Sequence, residues 1–241
     1  ASNTAIGSDA QRYNNVSEAV VIGERAGLYN TGNNNVFVGN EAGRNSGAGT
    51  ECVFIGKNAG YYGTHDDSTA IGYDAGRYAT GSYNTFVGSN AGKGGTTSAP
   101  YSSGQYNTAA GYLALTAFTT AIHNVAFGSD SMRTNTSGNY NTAYGSSAMR
   151  TNTTGGANVA IGYAAARDLD GGDYNVVVGN GAGYNLGNVD NCILIGDEAG
   201  YAINNTGANG TIAIGHEAGK AITEGARQTF LGYQAGYSST T

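Results

Sequence analysis

The feature that most constrains this chain is one short phrase repeated from end to end. Three apolar or β-branched residues are followed by a glycine, two variable residues and an alanine, most clearly in Asn84-Thr85-Phe86-Val87-Gly88-Ser89-Asn90-Ala91-Gly92. The phrase recurs fourteen times, at Gly7, Gly23, Gly39, Gly56, Gly72, Gly88, Gly111, Gly128, Gly145, Gly162, Gly179, Gly196, Gly215 and Gly232. The intervals are 16 or 17 residues, except for 23 after Gly88 and 19 after Gly196. A fixed period over a whole chain marks a repeat architecture.

We number each repeat from its glycine as position 0. Position −3 is β-branched in all fourteen copies, from Thr4 to Thr229. That choice suits a strand and disfavours a helix. Position −1 is large and apolar in every copy but Ala110, and position −2 is apolar throughout. Side chains alternate across a strand, so −3 and −1 share a face. A strand apolar on both faces is read as buried on both. The −3/−1 face is therefore expected to form the core, with −2 covered by a further surface; were −2 to face the core, the −3/−1 side would need that cover. Position 0 evidently admits no side chain, through positive φ or close backbone approach. Position +3 is alanine in thirteen copies and Ser131 in the other, a tight packing site, and +4 is glycine in nine, a second bend.

A period near 17 residues is too short for a helical repeat or a propeller blade. Extended, it spans about 56 Å of contour, enough for one flattened turn of two short strands and two bends. Stacked turns give parallel ladders. The predicted fold is all-β: a parallel β-solenoid of about fourteen 16–17-residue rungs, forming one elongated domain over residues 1–241. Rungs are regular over 1–93. Residues 94–104, with the only proline, are expected to form a protruding loop. Over 105–168 the +4 glycine gives way to Leu115, Met132, Met149 and Ala166, and the regular form returns over 169–241. Glycine at 41 of 241 residues and charged residues at 12% would by themselves suggest disorder. A disordered chain has no reason to keep a β-branched residue in every copy.

The net charge is −6, without a basic cluster, so nucleic acid is not an expected partner. Eight of the eleven basic residues fall at +5 and six acids at +2. They are read as a solvated edge where neighbouring rungs exchange weak ion pairs. The alternative is a ligand-facing stripe, for which Arg133 and Arg150, in two near-identical Met-Arg-Thr-Asn-Thr segments, are candidates. The two cysteines, Cys52 and Cys192, both occupy position −4, which is mostly asparagine elsewhere. Eight rungs, about 38 Å at strand spacing, separate them, too far for a disulfide. Buried thiols in an asparagine-type slot are expected.

Little else suggests chemistry. His65, His123 and His216 share no metal-ligand spacing and are read as surface or loop residues. Residues 168–173 resemble a calcium loop faintly, but Gly179 stands where an EF-hand needs its twelfth-position acid, so a polar turn is expected. No nucleophile elbow occurs. No enzyme activity, metal or cofactor is expected, and no stretch is apolar enough for a membrane span. Neither end carries a polar cap, so the ends are expected to meet other subunits or to continue a longer fibre. Tyrosine is the suggestive excess, with 18 copies and no tryptophan. Tyrosine offers a flat apolar face and a hydroxyl, suited either to shielding the solenoid edge or to stacking on a sugar or a protein. Tyr61, Tyr62 and Tyr101 are the candidate ligand-binding tyrosines.

The strings Asn3-Thr4-Ala5-Ile6-Gly7, Asn141-Thr142-Ala143-Tyr144-Gly145 and Asn158-Val159-Ala160-Ile161-Gly162 resemble the head repeats of trimeric autotransporter adhesins. The longer form from Ser137 to Gly145 is similar to repeats of bacteriophage tail fibres. The resemblance covers essentially the whole chain, although the 16–17-residue period exceeds the usual adhesin rung. It implies a left-handed β-roll with three chains to a fibre. The expected function is a non-enzymatic extracellular fibre on a cell surface or virion, binding cell-surface carbohydrate or protein. The alternative is a structural subunit of a filament assembled end to end.

Overall fold

β-Branched residues at −3 and bulky ones at −1 favour extended backbone, and each repeat builds from them one strand of three residues. The computed structural model describes residues 2–13, 16–63, 65–99, 101–204, 206–223 and 225–238. The chain divides into two compact units, residues 1–122 and 123–241. The first holds β1 (Thr4–Ile6), β2 (Val20–Ile22), β3 (Val36–Val38), β4 (Val53–Ile55), β5 (Thr69–Ile71), β6 (Thr85–Val87) and β7 (Thr108–Ala110). The second holds β8 (Val125–Phe127), β9 (Thr142–Tyr144), β10 (Val159–Ile161), β11 (Val176–Val178), β12 (Ile193–Ile195), β13 (Ile212–Ile214) and β14 (Thr229–Leu231).

Within each unit, consecutive strands pair in parallel with −3 on −3, as in Val36↔Val53 and Val159↔Val176. The register survives the 23-residue interval, since Thr85 still pairs with Thr108. Each unit is thus a seven-rung parallel β-solenoid. The only helical element among the described residues is a 3₁₀ turn, Thr206–Ala208.

The structure differs from the expected rung of two strands: each rung has one. The reason lies in the backbone of the return side. Three positions per rung, −5, +2 and +4, take left-handed backbone; in one rung these are His123, Asp130 and Met132, with φ of 57°, 56° and 46°. Left-handed residues cannot sustain an extended run, so the return side is a chain of turns. The return side still hydrogen-bonds from rung to rung, as from the Gly27 N–H to the Ala42 carbonyl and from the Tyr29 N–H to the Arg44 carbonyl, but among the described residues its β-bridges are the isolated pairs Ala79↔Ser102 and Leu169↔Gly187.

The strand orientation is also the reverse of the one first expected. Position −2 points inward: Val21, Phe37, Phe54, Ala70, Phe86, Ala109, Ala126, Ala143, Ala160, Val177, Leu194 and Ala213 are all buried. Positions −3 and −1 point outward, as in the exposed–buried–exposed pattern of Thr85–Val87. With one strand per rung the interior is narrow, and a single inward side chain per strand fills it.

The core is balanced between −2 and +4. Where −2 is phenylalanine, +4 is glycine; a Cβ on Gly43 would lie 2.8 Å from the Phe37 ring. Where −2 is Ala109, Ala126 or Ala143, the buried +4 residue is Leu115, Met132 or Met149. In these rungs one large side chain occupies the space, supplied from opposite walls, whereas Ala70 with Gly76, Ala160 with Ala166 and Ala213 with Gly219 are small at both positions. Phe37 and Phe54 stack across neighbouring rungs, with ring centroids 5.1 Å apart.

Position −4 builds a buried amide ladder. The Asn141 backbone N–H donates to Asn124 Oδ1 at 2.9 Å, its Nδ2 donates to the Gly155 carbonyl at 2.7 Å, and its own Oδ1 accepts from the Asn158 N–H at 3.0 Å. Cys52 and Cys192 sit in this ladder, each donating its N–H to the preceding asparagine, Asn35 or Asn175, at 2.9 Å. Both are free and buried, and burial pushes the Cys52 thiol up to about 12. Position 0 satisfies both proposed reasons for its glycine. Gly88 has φ +130°, and a Cβ there would meet the Gly111 carbonyl oxygen of the next rung at 2.6 Å.

Candidate functional site

The first unit carries an aromatic platform on its return side. Positions +5 and +6 of adjacent rungs supply Tyr61, Tyr62 and Tyr78, and the 94–104 segment supplies Tyr101. The segment does not simply protrude. Thr97, Ser98 and Ala99 are exposed and Thr96 is half-buried, while Gly94, Ser102 and Gly104 are buried; Pro100 lies outside the described residues. Ser102 bridges to Ala79, which lays Tyr101 back over the neighbouring tyrosines. Tyr62 and Tyr101 stack with centroids 4.6 Å apart and planes 24° apart, and Tyr62 stacks on Tyr78 at 5.7 Å. Tyr61 meets Tyr62 edge-on at 4.6 Å.

Two arginines frame this platform. The Arg77 guanidinium lies 5.6 Å from the Tyr61 centroid and 5.1 Å from that of Tyr78. Arg44 lies 5.5 Å from the Tyr61 ring and also donates to its hydroxyl. Asp74 holds the arrangement. It is buried, pairs with Arg77 and Lys93 at 3.1 Å each, and accepts from Asn58 Nδ2 at 2.9 Å. Burial pushes the Asp74 carboxyl up, but the hydrogen bonds from Asn58, Lys93 and Arg77 outweigh it and leave it below the usual carboxylate range. Tyr61 is buried, Tyr62, Tyr78 and Tyr101 are half-buried, and both framing arginines are paired with carboxylates, Arg77 with Asp74 and Arg44 with Glu41.

Three of the five sequence-derived candidates, Tyr61, Tyr62 and Tyr101, meet in this platform. Arg133 and Arg150 belong to the second unit; Arg133 pairs with Asp130 at 3.3 Å and Arg150 is half-buried. The charged edge departs in detail from the expectation, because its ion pairs run mostly within a rung, from +2 to +5. Arg12–Asp9, Arg44–Glu41 and Lys220–Glu217 are examples, joined by cross-rung pairs such as Lys220–Glu198. The left-handed residue at +2 turns the chain so tightly that +5 returns beside it.

His65 is a correction to the reading of the histidines as surface or loop residues. It is buried, edge-on to Phe54 at 5.2 Å, and burial pushes its imidazole down to about 4, partly offset by the Ala79 backbone and Asp66. The carboxylates of residues 168–173 are engaged separately: Asp168 with Arg167, Asp170 with the Thr153 hydroxyl, Asp173 with the Gly156 N–H. Among the described residues no group of three or more histidines, cysteines or carboxylates could hold a metal ion, and no helix is long and apolar enough to cross a membrane.

The outward −3/−1 face is the second surface feature. Val20, Ile22, Ile55, Ile71 and Val87 expose it on the first unit, and Val125, Phe127, Tyr144, Ile161, Val176, Ile193 and Ile195 on the second. Phe127 and Tyr144 stack along it, with centroids 4.8 Å apart and planes 3° apart. No protein-family model, curated protein or solved structure matches this chain.

Proposed function

We propose that this chain is a non-enzymatic, extracellular fibre protein of a cell surface or virion that binds cell-surface carbohydrate or protein. The observation that carries the reading is the stacked platform of Tyr62, Tyr78 and Tyr101, framed by Arg44 and Arg77. Aromatic faces with adjacent hydroxyls and guanidinium groups suit sugars and polar protein surfaces alike. The rigid ladder beneath fixes the platform, so little conformational freedom is lost on binding.

The same reading includes a homotrimer. Contiguous apolar surface is uncommon on monomers and marks an interaction surface, and here one column pattern repeats it on every rung. Three copies meeting through their −3/−1 faces cover it, and the β-branched side chains present a regular ridge for packing.

Binding of the labelled full chain to whole cells tests the adhesive part. Tyr62→Ala and Tyr101→Ala are each expected to weaken binding by tenfold or more with unchanged circular dichroism. Binding unaffected by both substitutions overturns the platform's role. Sedimentation at micromolar concentration tests assembly: three times the chain mass is expected, and a stable monomer refutes the trimer.

A further inference from the structure

Position −5 forms another outward ladder. Tyr83 and Tyr106 stack there in the first unit, with centroids 4.9 Å apart and planes 4° apart, and His123 and Tyr140 stack in the second at 5.2 Å and 7°. All four take left-handed backbone with φ between 57° and 63°. Tyr174 continues the column at φ 59°, two rungs beyond Tyr140.

Between Tyr140 and Tyr174 the ladder is interrupted. The intervening rung has Gly156-Ala157 where its neighbours have Asn139-Tyr140 and Asp173-Tyr174. Backbone geometry does not require this. Ala157 has φ 55°, as the tyrosines of the column do, and Gly156 is not among the positive-φ glycines. The two small residues leave a cleft of about 270 Å³ lined by both tyrosines and by Asn139, Thr154 and Asp173. Tyr140 and Tyr174 are 62% and 66% exposed, against 47% and 48% for the mutually stacked Tyr83 and Tyr106. Both tyrosines border the rung that lacks a ring, and both line the cleft.

The size of the gap selects its occupant. Two rungs at strand spacing place the walls about 9.6 Å apart. A flat ring in contact with both walls needs about 7–8 Å, two van der Waals separations, and would leave roughly 2 Å unfilled. A pyranose chair, with atoms staggered above and below its mean plane, is thicker by about that amount. Its axial C–H groups meet the two ring faces while its equatorial hydroxyls point out around the rim, toward polar partners. Those partners are present: an amide at Asn139, a hydroxyl at Thr154 and a carboxylate at Asp173, the last fixed because its Oδ1 accepts from the Gly156 N–H at 2.6 Å. We propose that this cleft binds one pyranose ring of a glycan, sandwiched between Tyr140 and Tyr174. The proposal deepens the adhesive reading and rests on it for the source of the sugar at a cell surface.

The decisive variant is Ala157→Tyr. It supplies the missing ring at a backbone position that accepts tyrosine elsewhere in the column, and it fills the cleft without deleting any contact. The probe is an array of immobilised glycans, with saturation-transfer NMR on the glycans that bind. The full native chain is expected to bind a subset of them. Ala157→Tyr and Tyr174→Ala should each lower affinity for that subset by tenfold or more, with unchanged melting temperature for the first. Tyr83→Ala, in the filled part of the same column on the first unit and outside both proposed sites, should leave the subset unaffected. Should Ala157→Tyr fail to fold, Tyr140→Ala and Tyr174→Ala decide the question. Undiminished glycan binding by the folded variants overturns the cleft, as does displacement of the glycans by free indole at lower concentration than by the matching monosaccharide. Cell binding by a chain that binds no glycan overturns the cleft and leaves the adhesive reading standing. Absence of any cell binding removes the adhesive reading itself.

Discussion

The exchange of core volume between −2 and +4 makes a sharp prediction for the rung of Gly88. Phe86 is buried, and Gly92, with φ +51°, lies directly against its ring. Phe86→Ala removes a buried aromatic ring and should cost about 4 kcal/mol. Gly92→Met forces a side chain onto that ring and should cost about 3 kcal/mol, from overpacking and from left-handed strain. Together, the two substitutions reproduce the arrangement of Ala126 with Met132, where a methionine at φ 46° is already buried without difficulty. The methionine then enters the space the ring has left, and the overpacking disappears. The double variant should therefore cost about 4 kcal/mol instead of about 7, a favourable coupling of about 3 kcal/mol, the upper end for residues in contact. Urea denaturation of the four proteins, followed by circular dichroism, measures the cycle. Costs that add to within about 0.5 kcal/mol would refute the idea that the two positions share one volume.

Three further outcomes follow from buried groups. Gly88→Val should cost several kcal/mol because it combines strained φ with a clash on the Gly111 carbonyl, whereas Ser89→Ala should be nearly silent; equal melting temperatures would contradict the assignment. Asn141→Ala strands the Asn158 N–H and removes one of two donors to the Gly155 carbonyl, which keeps Asn152, and should cost about 2 kcal/mol in thermal or urea unfolding. The His65 imidazole, depressed from 6.5 to about 4 by burial, takes its proton more readily in the unfolded chain. Stability should therefore fall as pH drops from about 6.5 toward about 4, by up to about 3 kcal/mol, and His65→Leu should flatten that segment of the pH–stability profile.

The glycine columns and the β-branched column made the solenoid and its register legible, because both reflect steric requirements that no neighbour can relieve. The inward face was harder to read. Alternation shows that Thr85 and Val87 oppose Phe86, but with apolar residues on both sides it does not say which side is interior. The pairing of small −2 with large +4 residues was the available signal: Ala126 with Met132, and Phe86 with Gly92, make sense only if −2 and +4 face each other. The left-handed residues at +2 and −5 were only partly signalled: Asp130 and His123 are of types that enter that region more readily than most, but Glu41 and Tyr140, in the same columns, are not. The candidate tyrosines Tyr61, Tyr62 and Tyr101 could be suspected from composition, but only the fold-back at Ser102 brings the third onto the second. The cleft at Ala157 is invisible to residue type, since the informative event is a missing side chain within an aligned column.

Thiol accessibility along one strand tests the central claim most directly, that −2 is interior while −3 and −1 form an outward face, and with it the proposal that other copies cover that face. Single cysteines at Val176, Val177 and Val178, reacted with a maleimide, read the two faces of β11 against the native Cys52 and Cys192, which burial should keep unreactive until denaturation. The account predicts that Val177→Cys, if folded, stays unlabelled at all concentrations. Val176→Cys and Val178→Cys should label rapidly in dilute protein and, if the proposed trimer forms, become protected as concentration rises. Rapid labelling at 177 with protection at 176 and 178 in the dissociated chain would contradict it.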